Sequence, residues 1–341
     1  MSDNLHRPSA GQIGFVTAVF AALAAYPLVA GSYGLDLVAK IMIFAIFALS
    51  LELLVGGTGL VCFGHAAFFG IGAYAAVLLS PEYEAAHLLW LLPACVGAAA
   101  LYALAVGALS LRTKGVYFIM VTLAFAQMAY YVVHDTPLGG GTDGIYLNAK
   151  PAIPGVFELQ GGVVMYGFAW VALLATFALL AVVSRSRFGR ALAGIRVNEQ
   201  RMRATGFATY PYKLAAFTLS GAIAGLAGFL YAVKDGYVNP ELMSWHLSGS
   251  VLIMIILGGL GHLRGALIGA FAYVLLQEFF KSEAIFGNFA RHWHLGMGLT
   301  IIASVALLPR GLVGIPAQLA ARLAGRASRR AEAQPGLGEP R

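Results

Sequence analysis

The polar side chains that could do chemistry are few, and apolar residues surround them. Glu52 lies in Leu49-Ser50-Leu51-Glu52-Leu53-Leu54, where a carboxyl group could bind a proton, face a polar solute or pair with a basic loop. His65 stands in Gly64-His65-Ala66-Ala67-Phe68-Phe69-Gly70 and could serve as a ligand or as a satisfied hydrogen-bonding group. Gln127, in Ala124-Phe125-Ala126-Gln127-Met128, could face a cavity or bond a neighbouring helix. Ionisable groups inside apolar spans mark functional sites by default, because charge in hydrocarbon is costly. No catalytic constellation accompanies them. The chain contains no G-x-x-x-x-G-K-[ST] phosphate loop, no Gly-Lys dipeptide, no H-E-x-x-H, no Cys–His cluster and no G-x-S-x-G elbow. No catalytic residue and no metal ligand set is therefore expected, and Cys62 and Cys95 read as small buried hydrophobes.

Two other patterns carry information. Gly56, Gly57, Gly59 and Gly64 fall within nine residues, too dense for a good helix. Non-helical backbone at membrane depth is tolerated only against protein or a watery cavity, which makes 56–64 a candidate pathway element. Gly56-Gly57-Thr58-Gly59-Leu60 also resembles Gly258-Gly259-Leu260-Gly261-His262, a weak hint of internal duplication. The stretch 184–213 is the most charged in the chain. Within it Leu192, Ile195, Glu199 and Met202 share one side at helical spacing, arginines surround them, and Gly206 is placed as a C-terminal stop. On physical grounds this is either a basic amphipathic helix on anionic lipid or a short helix that docks into a cytoplasmic partner.

The elements that must position these groups follow from composition. Of 341 residues 60% are hydrophobic and 11% charged, against about 25% charged in a soluble domain. Mean hydropathy is +0.79. A soluble enzyme, a disordered chain and a disulfide scaffold are excluded, and apolar runs this long disfavour an outer-membrane barrel. The fold class is all-α, a polytopic membrane bundle of eight to ten helices. Candidate spans are 13–30, 36–55, 64–80, 87–111, 115–133, 163–183, 214–233, 249–261, 265–280 and 294–309; 64–80 and 249–261 could be re-entrant. Gly221-x-x-x-Gly225 with Gly228, and Gly265-x-x-x-Gly269, put small residues on one helix face for close packing.

Placing both termini in the cytoplasm puts 17 of the 22 basic residues on the inner side, as the positive-inside rule requires. The net charge of +7 thus reflects membrane orientation and offers no case for nucleic acid. The expected organisation is a cytoplasmic segment 1–12, a transmembrane domain 13–316 with an outer loop 134–162 and an inner loop 184–213, and a disordered cytoplasmic tail 317–341.

Seven ordered blocks resemble the permease subunits of branched-chain amino-acid ABC importers, in their LivM-like branch. The blocks are 59–74 (GLVCFGHAAFFGIGAY), 115–127 (GVYFIMVTLAFAQ), 140–145 (GGTDGI), 186–206, 212–228 (YKLAAFTLSGAIAGLAG), 258–269 and Pro309-Arg310-Gly311-Leu312. The resemblance implies a bacterial inner-membrane protein paired with a second, homologous (LivH-like) permease. It also implies two cytoplasmic ATPase subunits, which would hold ATP and Mg in place of any cofactor in this chain. A periplasmic solute-binding protein would deliver Leu, Ile or Val.

The resemblance also turns 184–206 towards ATPase coupling, with Arg190, Arg196, Asn198, Glu199, Arg201 and Gly206 as its residues; Arg201 and Met202 stand where the family expects alanines. Glu52 stands where the family tends to carry a small polar residue, which leaves urea, amides or other small polar solutes as alternative cargo. The expected substrate pathway is Glu52, Gly56, Gly57, Gly59, Gly64, His65, Tyr117 and Gln127. Thr142, Asp143 and Gly144 are the expected contact for the binding protein. The rival of another class is a stand-alone secondary transporter driven by protonation of Glu52.

Overall fold

The computed structural model describes residues 10–81, 84–153, 157–159, 162–308 and 311–314. The segment 1–9, the tail 317–341 and the Pro309-Arg310 pair lie outside the described residues.

The apolar runs become helices α1 (Ala10–Ala25), α2 (Ser32–Thr58), α3 (His65–Leu78), α4 (Leu88–Ser110), α5 (Val116–Asp135) and α6 (Gly162–Arg185). The basic stretch forms α7 (Arg187–Val197) and α8 (Glu199–Ala204). There follow α9 (Thr209–Asp235), α10 (Trp245–Gly258), α11 (Leu263–Lys281), the short α12 (Glu283–Phe286) and α13 (Trp293–Leu307). Four two-residue strands complete the described elements: β1 (Ile145–Tyr146) pairs antiparallel with β4 (Tyr237–Val238), and β2 (Ala152–Ile153) with β3 (Phe157–Glu158). The chain is an all-α helix bundle. Among the described residues six helices are long and apolar enough to cross a membrane: α2, α4, α5, α6, α9 and α11.

Helix α2 is apolar all round over its middle turns and forms the axis of the bundle, buried from Ile41 to Leu49 except at the half-buried Phe44. Beside it α9 packs through its small-residue stripe. A Cβ on Gly225 would strike Ala99 of α4, one on Gly221 would strike Ala103, and one on Gly228 would strike the Phe69 carbonyl of α3. Lipid supplies no hydrophobic force between helices, so this close approach, which only a glycine stripe permits, supplies the packing energy. Gly258, Gly265 and Gly269 join α10 to α11 in the same way. Helix α1 lies on α6, where Tyr166 Oη–H donates to the Leu23 carbonyl at 2.7 Å and Trp170 Nε1–H to that of Phe20 at 3.1 Å.

Among the described apolar helices α1, α3, α10 and α13 are shorter than a full span, α3 and α10 the shortest. At about 1.5 Å per residue, the 14-residue α3 and α10 each reach about 21 Å, short of the roughly 30 Å hydrocarbon core. Helix α2 stops at Gly59, whose φ of +76° is the left-handed conformation of a helix C-terminus. The chain then climbs back beside α2 through 59–64 before α3 begins. His65 at its start bonds Ser50, about 12 Å along α2 from Thr58. The 59–64 segment is therefore non-helical backbone that enters the bundle, from the exposed Gly59 to the buried Cys62 and Gly64.

Candidate functional site

Helix α3 begins at a fully buried polar knot, which α10 joins through Ser248. Ser50 Oγ–H donates to the Phe47 carbonyl at 2.6 Å, which leaves its lone pairs to accept from His65 at 2.7 Å. That network assigns the His65 proton to Nε2. The ring stacks on Phe47 and meets Phe68 edge-on, while its Nδ1 has no hydrogen-bond partner among the described residues. Ser220 of α9 donates to the Ser50 carbonyl at 2.6 Å, and Ser248 of α10 accepts the Ala66 N–H at 3.0 Å. Four helices are thereby pinned at one depth. Gly64 leaves room for the Thr122 carbonyl of α5 beside this knot.

The two glycine loops that resemble each other in sequence meet in space. Glu52 is 3% exposed, and its Oε1 accepts the Gly261 N–H at 2.6 Å; its Oε2 has no hydrogen-bond partner among the described residues. A Cβ on Gly56 would collide with that carboxyl group and sit 3.2 Å from the Gly261 Cα. From α7, Arg196 Nη1 donates to the Gly56 carbonyl at 2.5 Å, and its aliphatic stem lies over Gly59. Glu52, Gly56, Gly59, Gly261 and Arg196 thus form one cluster at the arginine-rich end. Gly57 lies beside Leu53 on the preceding turn.

The basic stretch forms two helices instead of one. Ser186 caps α7 by accepting the Gly189 N–H, and Leu192 and Ile195 are buried beneath it. Asn198 then takes an extended conformation and its side chain caps α8 through the Arg201 N–H at 2.9 Å, which breaks the helical register between Ile195 and Glu199. Met202 folds back over Gly194, which has no Cβ to obstruct it. Glu199 Oε1 accepts from Lys213 Nζ at 2.9 Å, Thr209 Oγ1 at 3.0 Å and Arg203 Nη2 at 2.5 Å. Burial alone would push this carboxyl up, but the Lys213 hydrogen bond and charge, with the bonds from Thr209 and Arg203, outweigh it and hold it at about 2. Arg190, Arg196, Asn198, Arg201 and Gly206 are exposed, Gly206 at φ +87° behind α8. Val197 is 87% exposed at the tip.

At the opposite end Thr142 and Asp143 are exposed on the glycine-rich loop. The loop is anchored, because Tyr237 Oη–H donates to the Asp143 carbonyl at 2.8 Å and β1 pairs with β4. Gly144 has φ +70°, and a Cβ there would strike the Val238 carbonyl. Of the expected pathway residues, His65 and Gly64 lie in the central knot and Glu52, Gly56 and Gly59 at the arginine-rich end. Gln127 is half-buried one residue beyond Ala126, which touches Gly64, whereas Tyr117 is exposed on the outer face of α5. Ser220, Ser248, Gly261, Lys213 and Val197 are site residues that sequence reasoning missed. Lone serines in apolar runs were the available signal for the first two, since a buried hydroxyl needs a partner.

Long apolar helices interrupted by half-helices that meet inside the bundle define a multi-pass membrane protein with the architecture of a transporter. Residues 33–305 match the family described as branched-chain amino acid transport system / permease component, and the chain belongs to that family. It is 28% identical over 326 residues to the high-affinity branched-chain amino acid transport system permease protein LivM of Escherichia coli K12, covering 88% of this chain and 74% of that protein. The LivM of Salmonella typhimurium LT2 gives the same identity and coverage. The autoinducer 2 import system permease protein LsrC of Klebsiella pneumoniae is 30% identical over 137 residues, covering 39% of this chain and 37% of the relative. No solved structure matches the chain.

Proposed function

We propose that this chain is one half of the membrane pathway of an ATP-driven importer for branched-chain amino acids. The observation that carries the reading is the likeness to LivM along 88% of the chain. The arginine-rich end would face the cytoplasm, where α7 and α8 present Arg190, Val197, Asn198 and Arg201 to an ATPase subunit. The anchored 139–146 loop, with Thr142 and Asp143 outward, would meet a periplasmic binding protein. A second, LivH-like permease would complete the pathway and a second ATPase the assembly. Alternating access requires that the nucleotide state of the ATPases favour one permease conformation over the other.

The half-helices support this reading. The N-terminus of α3 and the backbone at Cys62 and Gly64 lie inside the bundle, where polar backbone is tolerated next to protein or a water-filled path. The partial likeness to LsrC favours one second reading, a permease of the same class carrying a different small polar solute. Purification from native membranes, with identification of the co-purifying chains, tests the assembly. Two ATPases, a second permease and leucine-dependent uptake after reconstitution are expected. Leucine uptake by this chain alone under a proton gradient would overturn the proposal.

A further inference from the structure

Glu52 carries a buried carboxyl group that the central polar knot does not use. It lies nearly two turns before the end of α2 and reaches across to the 258–262 hairpin between α10 and α11, bonding the Gly261 N–H at 2.6 Å. The neighbouring Gly56 carbonyl belongs to the last turn of α2, where carbonyls have no intrahelical partner. Arg196 of α7 supplies that partner, and its guanidinium also lies over Gly261, 3.4 Å from where a Cβ would stand. Three separate elements therefore meet at two side chains. The backbone around them turns at left-handed glycines: Gly59 at φ +76°, Gly259 at +117° and Gly261 at +84°. Gly311 packs against Gly259 on the far side of the hairpin.

We infer that Arg196 and Glu52 form a transmission joint. Arg196 delivers displacement of α7 to the end of α2, and Glu52 passes it to the α10–α11 hairpin. Both are positioning residues, and Glu52 acts on the hairpin without touching the transported solute. The inference rests on the importer reading above, in which α7 is the element that the ATPase moves.

The geometry explains why the joint needs these residue types. Arg196 presents several N–H donors in a fixed fork, so one side chain can hold the Gly56 carbonyl while covering Gly261. Glu52 needs an acceptor oxygen at the end of a side chain long enough to cross from α2 to the hairpin, which a shorter side chain cannot do. Glycine at 56 leaves the space through which it passes.

The test uses the complete assembly in proteoliposomes, with radiolabelled leucine uptake and ATP hydrolysis measured together. Glu52→Ala and Arg196→Ala are each expected to lower leucine taken up per ATP hydrolysed at least tenfold, with KM for leucine within twofold of the unmutated assembly. Glu52→Gln, whose amide oxygen can still accept the Gly261 N–H, is expected to keep at least half the ratio. The double variant should be no worse than the poorer single one, because the two residues act in series.

A ratio within twofold of unmutated in Arg196→Ala, in an assembly that purifies with its full complement of subunits, would overturn the joint. So would a tenfold rise in KM for Glu52→Ala at an unchanged ratio, which would make Glu52 a solute contact. Absence of leucine uptake by the unmutated assembly would overturn the importer reading, and the joint's role with it.

Discussion

Glu199 accepts the Lys213 ammonium at 2.9 Å, and this pair fastens α8 to the first turns of α9. The Lys213 side chain is only 6% exposed, so the pair is shielded on one side by the bundle. The most charged stretch of the chain is therefore a shaped element held against the helices.

The Glu199 carboxyl, ordinarily near 4.5, is held at about 2 in the fold. A depressed carboxyl stabilises the fold above its unfolded value and loses that contribution as pH falls towards its folded one. Protection of the backbone amides of 199–206 from hydrogen exchange should be constant between pH 7 and 5 and fall from about pH 4.5 towards 2. Glu199→Gln should abolish that pH dependence.

Ser50 holds His65 inside the bundle, and the ring has no second hydrogen-bond partner among the described residues. Ser50→Ala would leave both ring nitrogens unpaired, at a cost of about 1–3 kcal/mol. The thermal midpoint of the purified protein in detergent should fall, and Ser50→Thr, which keeps a hydroxyl, should recover part of the loss. An unchanged midpoint for Ser50→Ala would show that the hydrogen bond contributes nothing.

Gly228 lies where a Cβ would enter the Phe69 carbonyl, whereas Gly97 of α4 has open space around it. Gly228→Val should destabilise the bundle by about 3 kcal/mol or more, because backbone cannot move aside as a flexible side chain can. Gly97→Ala should be neutral or stabilise by about 0.5–1 kcal/mol through the better helix propensity. Thermal denaturation of the two variants side by side checks the contrast.

Val197 is a large apolar side chain left open to solvent between Arg196 and Asn198. If it enters a pocket on an ATPase subunit, Val197→Asp should lower co-purification of that subunit at least tenfold while leaving the permease's own thermal midpoint unchanged. Equal co-purification would place the contact elsewhere on α7 and α8.

The fold class was legible because it depends on composition. Hydrocarbon tolerates few charges, and the ten apolar runs each coincide with a helix among α1–α6, α9–α11 and α13. Of the two shortest helices, α10 was visible as the run 249–261, too short to cross by itself, and α3 as the run 64–80, which could be re-entrant. The Gly221, Gly225 and Gly228 stripe was legible for the same local reason, since spacing alone puts these residues on one face. The break at Asn198 was not, because helical spacing of Leu192, Ile195, Glu199 and Met202 is compatible with one helix as well as two. The cap that divides them is a matter of one residue's backbone conformation.

The sequence by itself determined the class of the protein, its helical runs and its family, because these follow from local composition and from ordered blocks of residues. It also singled out Glu52 and Arg196, one as a carboxyl in an apolar run and the other within a basic stretch. Only the tertiary structure decided what they touch. Glu52 meets Gly261 across 209 positions and Arg196 meets Gly56 across 140. Contacts of that separation are set by how whole helices pack, and no local spacing encodes them.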